Sequence, residues 1–436
     1  MGLNRRQFLL GASGLAAAAT TMGLTACAPG SSGGGGSSGG ATDLKFAWWG
    51  NDVRNKNTQQ AIDLYLKTNP NVTISPQPGE FASYWDKLAT QTAGGQSPDI
   101  IQMDMNYIAE YGRRNALMDL SKVNVSKYTE GTVDSGRVGD QLVGINAGVN
   151  SALIFANPAI FEKAKMDLPD DTTWTWDSMI ELSAEVAAKA DVPFGVVQVF
   201  GGDAMFGAFM RQNGKELFTP DGLGFEAADA QVWFDLMVKA QKAKAIGTPQ
   251  QISEEGSPSS GKPIDQAALA TGQTALQYYN SNQLPAVTAA AGSEMAMLRF
   301  PSLTGKATDR KAWYKASMLW SASAKSKNPD AVVALIDWWV NSPECAAINL
   351  TERGVPCNTE VLAGIKPQLS KEQTAVVKYI EDIKPEVANT PIAPPPGGGK
   401  IGDIMFRYQT DVLFGKSSTA EAAQKFVDEL KSNLQG

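Results

Sequence analysis

The chain of 436 residues contains no histidine. That absence excludes Ser-His-Asp and Cys-His nucleophilic sites, and histidine-ligated zinc with them. Only three cysteines are present. Cys27 falls in a leader-like segment, and Cys345 and Cys357 are too few for a thiolate cluster. No metal and no cofactor is expected. No basic run occurs and the formal net charge is −7 at pH 7, which argues against a nucleic-acid partner. After the leader no stretch approaches roughly 18 consecutive apolar residues, so no transmembrane helix is expected.

The sequence opens with an export signal. Twin arginines, Arg5 and Arg6, precede Phe8-Leu9-Leu10 and a mildly apolar run without acidic residues. That run ends in "LTAC", Leu24 to Cys27, which resembles a bacterial lipobox. Residues 1–26 read as the signal peptide and Cys27 as the lipidated first residue of the mature chain. Residues 27–42, rich in Gly and Ser, read as a tether with a reach of roughly 20 Å. The expected location is the outer face of the cytoplasmic membrane, with the protein anchored by lipid and not spanning.

What remains is too long for one ordinary core and points to two lobes. "LKFAWW" reads as a strand, "NTQQAIDLYLKTNP" as a helix stopped by Asn69-Pro70, and "NVTIS" as a strand. A helix stopped by Gly94-Gly95, the strand "DIIQM" and another helix follow. Short strands alternating with helices mean parallel βαβ units. In such sheets ligands bind beyond the carboxyl ends of the strands, where Trp49, Glu80 and Asp104 fall. In "AWWGN" neighbouring side chains take opposite faces: Trp48 joins Leu44 and Phe46 in the core, leaving Trp49 for another role. The segment 253–263 reads as a polar surface loop, and "APPPGGG", Ala393 to Gly399, as a stiff, then flexible one. Cys345 and Cys357 lie close in sequence in an exported chain, where oxidation is permitted. They are expected to form a disulfide.

Four phrases occur in a fixed order: "AGGQSPDII", "ALIFANPAIFEKAKMDLPDDTTWTWDSM", "AALATGQTALQYY" and "NPDAVVALIDWWVNSPECAAINLTERGVPCN". Together they resemble the extracellular solute-binding proteins of ABC importers, family 1, which mostly carry sugars. Departures are Ala156-Asn157 for the usual Tyr-Asn, Lys165 for a usual glycine, and no tryptophan in "QYYNSN". The resemblance implies an α/β, two-lobe periplasmic-binding-protein-like fold of type II. Its sheets would be mostly parallel, flanked by helices, with a hinge between the lobes. Lobe 1 would be 43–148 plus 300–335 and lobe 2 would be 149–299 plus 336–436. It also implies a binding role without catalysis, a carbohydrate ligand and the transmembrane subunits of an ABC permease as partners. A monomer is expected.

A pyranose presents apolar C–H faces and a belt of hydroxyls. It calls for an aromatic platform and fixed polar groups, since each hydroxyl left unpaired costs about 1–3 kcal/mol. The candidate ligand set has this character. Lobe 1 offers Trp49, Asn51, Asp52, Glu80, Asp104, Asn106 and Tyr107, and the hinge offers Asn150. Lobe 2 offers Phe200, Asp203, Tyr278, Tyr279, Asn280 and Asn282. Asp52 and Asp203 can also cap helices, Phe200 can equally be core, and Trp320 can reach the cleft. Two alternatives stay open: a non-sugar solute such as an osmolyte or polyol phosphate, and a secreted glycoside hydrolase using carboxylates alone.

Overall fold

The computed structural model of the chain describes residues 42–220, 222–258 and 261–435. The signal peptide and Cys27 lie outside the described residues. Of the expected tether only Thr42 is described, and it belongs to the first strand; the rest also lies outside the described residues.

Two sheets organise the fold. The first contains β1 (Thr42–Trp49), β2 (Val72–Gly79), β3 (Ile100–Met103), β4 (Ile145–Asn150) and β9 (Lys315–Ala322), in the order β2-β1-β3-β9-β4. The second contains β5 (Ala152–Ala156), β6 (Phe194–Val197), β7 (Thr274–Asn280) and β8 (Ala296–Leu298), in the order β8-β5-β7-β6. Parallel pairing joins β1 to β2 and β3, and β7 to β6. The pairs that include β5 or β9 and any other neighbour run antiparallel. The sheets are therefore mixed rather than mostly parallel. Parallel neighbours need a helical crossover, and around β4, β5 and β9 the chain passes between sheets without one.

Local chemistry sets the helices of the first lobe. Helix α1 (Asp52–Thr68) starts where the Asn51 side chain accepts the Arg54 backbone N–H at 3.0 Å. Helix α2 (Phe81–Ala93) ends at Gly94, and the next residue, Gly95, has φ +69°. Helix α3 (Met105–Arg113) is capped by Asp104, which accepts from Asn106 N at 2.9 Å. Asp99, of the "SPDII" phrase, ties strand ends together: it accepts from Lys45 N at 2.9 Å and from Ser326 Oγ at 2.5 Å.

Strand β1 divides its side chains between two layers. Leu44, Phe46 and Trp48 join one core with Trp320 and Trp339, while Ala47 and Trp49 join another with Tyr84 and Trp85. Trp48 also donates its indole N–H to Asn55 Oδ1 at 2.8 Å. The second lobe has its own core around Trp176, Trp233 and Phe206, completed by α5 (Ile401–Leu413) and α6 (Thr419–Gln435).

The packing moves two expected lobe boundaries. Ile336, Trp339 and Cys345, on Pro329–Asn341 and Pro343–Asn349, pack with Phe46 and Trp48 in the first lobe, not the second. Phe300, Ala312 and Trp313 pack in the second lobe's core, so the return to the first sheet comes at β9 and not at residue 300. The expected disulfide is absent: Cys345 and Cys357 are both buried free thiols. Cys345 sits in the Phe46–Trp339 core and Cys357 packs with Val149, Leu153 and Tyr279, so different hydrophobic layers hold them apart.

Candidate functional site

Between the two sheets lies a cleft of about 430 Å³. The first lobe contributes Trp49, Arg54, Phe81, Asp104 and Asn106. Asn150, Lys315 and Ser317 come from the crossing strands β4 and β9, where Lys315 pairs with Asn150 in register. The second lobe contributes Gln198, Asp203 and Gln277, then the run Tyr278-Tyr279-Asn280 with Asn282.

Charges in this cleft are largely paired. Arg54 Nε meets Glu352 Oε2 at 2.8 Å, Lys262 Nζ meets Glu255 Oε1 at 2.5 Å, and Lys315 Nζ lies 3.8 Å from Asp104 Oδ2. Gly50 makes the first of these possible, because a Cβ there would collide with the Arg54 stem. Asp203, the first residue of α4 (Asp203–Gln212), has no ion pair at contact distance among the described residues. Burial pushes its carboxyl above the usual range; the Lys315 charge opposes this and Asp104 adds to it. The Tyr278 hydroxyl is pushed far up, by burial first and then by the negative Asp203.

Polar atoms here are under-satisfied. Asn150 Nδ2 donates to Asn282 Oδ1 at 3.0 Å, across the point where β4 gives way to β5. Asn150 Oδ1 and Tyr279 Oη are buried without a hydrogen-bond partner among the described residues. Gln277 Nε2 donates to Gln198 Oε1 at 2.9 Å, and Gln277 Oε1 accepts from Leu269 N, also at 2.9 Å.

The structure thus brings nine of the sequence candidates to one cleft: Trp49, Asp104, Asn106, Asn150, Asp203, Tyr278, Tyr279, Asn280 and Asn282. Both tyrosines border it, although they face different cores, Tyr278 beside Leu276 and Tyr279 beside Phe155. Five candidates are placed elsewhere. Asn51 is exposed and spends its side-chain oxygen on capping α1. Asp52 is exposed in the first turn of that helix, and Glu80 is exposed at the start of α2. Tyr107 stacks on Trp85, ring centroids 3.8 Å apart, and does not line the cleft. Phe200 belongs to the second core, 5.2 Å from the Trp233 ring. Trp320 is core too, packed on Phe46 and Trp339.

Trp49 has a double position. Its edge reaches the cleft, but it is only 7 % exposed and packs against Phe81, Tyr84 and Trp85 at 5.5, 5.3 and 5.4 Å between centroids. The sequence candidates did not include Arg54 or Phe81, although both lie near the strand ends, nor Gln198, Gln277, Lys315 and Ser317. For these last four the one legible signal was Gln277, a polar residue between Leu276 and Tyr278 in a buried strand. The 253–263 segment is not a plain surface loop either, since Glu255 is buried and Pro258 and Lys262 line the cleft.

Among the described residues no cluster of His, Cys, Asp or Glu could hold a metal ion, and no helix is long and apolar enough to cross a membrane. The fold is that of known two-lobe binding proteins. A family 1 extracellular solute-binding protein of Alicyclobacillus acidocaldarius superposes with TM-score 0.68 at 22 % identity, over 91 % of this chain and 99 % of that one. A periplasmic oligogalacturonide-binding protein of Yersinia enterocolitica, in complex with saturated digalacturonic acid, gives 0.77 at 18 % identity over 90 % and 100 %. An ABC substrate-binding protein of Listeria monocytogenes, in complex with cycloalternan, gives 0.74 at 18 % over 90 % and 99 %. Residues 49–344 match the family described as "Bacterial extracellular solute-binding protein", and the chain belongs to that family of solute-binding proteins of ABC importers.

Proposed function

We propose that the cleft captures an uncharged carbohydrate, a mono- or oligosaccharide, and presents it to the permease of an ABC importer. The observation that carries this reading is the pair of buried, unpartnered oxygens, Asn150 Oδ1 and Tyr279 Oη, in a cleft that also holds Asp203. A buried polar atom without a partner costs about 1–3 kcal/mol. A ligand with several hydroxyls, each both donor and acceptor, removes that cost at more than one point. Trp49 and Phe81 supply apolar surface for the C–H face of a ring. Neighbours of the same fold that bind digalacturonic acid and cycloalternan support a sugar. The pairing of Arg54, Lys262 and Lys315 with carboxylates favours a neutral sugar over an acidic one.

The action is closure without turnover. A ligand that touches both lobes binds the closed form better and shifts the population toward it, and the permease reads the closed pair of lobes. The lipidated Cys27 holds the monomeric protein at the outer face of the cytoplasmic membrane. Two experiments test these points. In a thermal-shift screen, a sugar at about 100 times its dissociation constant should add about 2.7 kcal/mol of stability. No response to any sugar, with a clear one to another solute class, would sink the carbohydrate reading. Cys27→Ser should release the protein from the membrane fraction, and continued membrane retention would refute the anchor.

A further inference from the structure

Beside the main cleft lies a second, smaller cavity of about 100 Å³. It shares Asn106, Asp203, Ala204 and Lys315 with the cleft, so the two meet at a polar rim. Beyond that rim its walls are mostly carbon, from Met105, Leu217, Phe218, Trp313, Pro391 and Ile392; the one charged side chain among them is Glu216, which faces Arg211. The walls come from both lobes. Met105 opens helix α3 of the first, while Phe218 and Trp313 belong to the second lobe's core. The Trp313 ring is held from behind by the Arg211 guanidinium, 5.6 Å from its centroid. Arg211 is itself fixed by the Asn389 carbonyl at 2.5 Å and by Glu216 at 3.5 Å. The segment 391–399, which includes the "APPPGGG" loop, closes the far side. Pro391, Ile392 and Pro394 stand against the cavity, and Gly399 approaches the Asn106 backbone so closely that a Cβ would overlap its carbonyl.

We propose that this cavity is a subsite for a short acyl or alkyl substituent, one to about three carbons, projecting from the sugar bound in the cleft. The proposal rests on the carbohydrate reading above. A hydroxyl placed against those carbon walls would lose its water without a partner there, whereas a methyl group, or the methyl end of an acetyl, loses little. The size agrees, since an apolar cavity of about 150 Å³ takes benzene, and about 100 Å³ suits a smaller group. The ring's hydroxyls stay at the rim with Asn106, Asp203 and Lys315. The preferred ligand is then a deoxyhexose or an N-acetyl amino sugar, alone or within an oligosaccharide, and not a fully hydroxylated hexose.

Matched pairs test this by calorimetry on the mature protein: L-rhamnose against L-mannose, L-fucose against L-galactose, and N-acetyl-D-glucosamine against D-glucose. In each pair that binds, the substituted member should bind at least about tenfold more tightly. The deoxyhexose and N-acetyl arms distinguish the two sources of the group. Ile392→Asp places a charge at the cavity on a residue that is 47 % exposed, so folding is spared. It should erase the preference within a pair while leaving the hydroxylated member's affinity within about twofold. Equal or tighter binding of the hydroxylated members would overturn the subsite and leave the carbohydrate reading intact. Failure of every sugar to bind would overturn both.

Discussion

Replacing Trp49 by alanine tests how the strand end is used. Trp49 is buried and touches three aromatic rings, Phe81, Tyr84 and Trp85. Removing a buried tryptophan leaves a cavity and typically costs about 3–5 kcal/mol. Each of its aromatic pairings accounts for about 0.5–1.5 kcal/mol beyond buried area, so three of them place the cost toward the upper end. Trp49→Ala should therefore lower the stability of the ligand-free protein by about 4–5 kcal/mol. The expected form is a urea transition shifted to lower concentration with little change in slope. Trp49→Phe, which keeps a ring in the cluster, should recover more than half of the loss. The measurement is urea unfolding followed by far-ultraviolet circular dichroism, without sugar. A loss below about 1 kcal/mol, together with abolished sugar binding, would show that Trp49 serves the ligand alone and that the packing argument is wrong.

Three further outcomes are expected. Because burial raises the Asp203 pKa in the folded protein, the unfolded chain loses that proton first as pH rises. The charge therefore lowers stability from the ordinary carboxylate range up to the raised value, and the loss persists above it; Asp203→Asn should raise the melting temperature at pH 7 yet weaken sugar binding, and a lower melting temperature would refute the assignment. Arg353 donates to Thr58 at 2.7 Å, Asn349 at 2.9 Å and Gln102 at 3.2 Å, beside the Trp320 and Trp339 rings; Arg353→Ala should cost about 3–5 kcal/mol in denaturant unfolding, and a loss under 1 kcal/mol would contradict this. Burial pushes the Cys345 and Cys357 thiols up to about 12, so neither should react with a thiol reagent at pH 7.5 until the protein is unfolded, when both should; a native mobility shift on reduction would contradict the free-thiol state.

The sequence by itself determined the local elements and the kind of site. Alternation along "LKFAWW" already sends Trp48 to the core with Phe46, and Trp49 to the opposite face, as the structure has it. Polar residues just beyond strand ends, Asp104 and Asn106 among them, could be named because ligand clefts form there. The absence of histidine restricted the chemistry without any coordinates. Tertiary structure decided what alternation and spacing cannot encode. Asn51 and Trp49 are near neighbours, yet one caps a helix and the other lies in an aromatic cluster, because each side chain's partners come from elsewhere in space. Lys315 reaches the cleft only through a strand that returns to the first sheet, a long-range pairing with no local signature. Cys345 and Cys357 are close along the chain but packed into different cores, since burial of each against its own sheet outweighs sequence proximity.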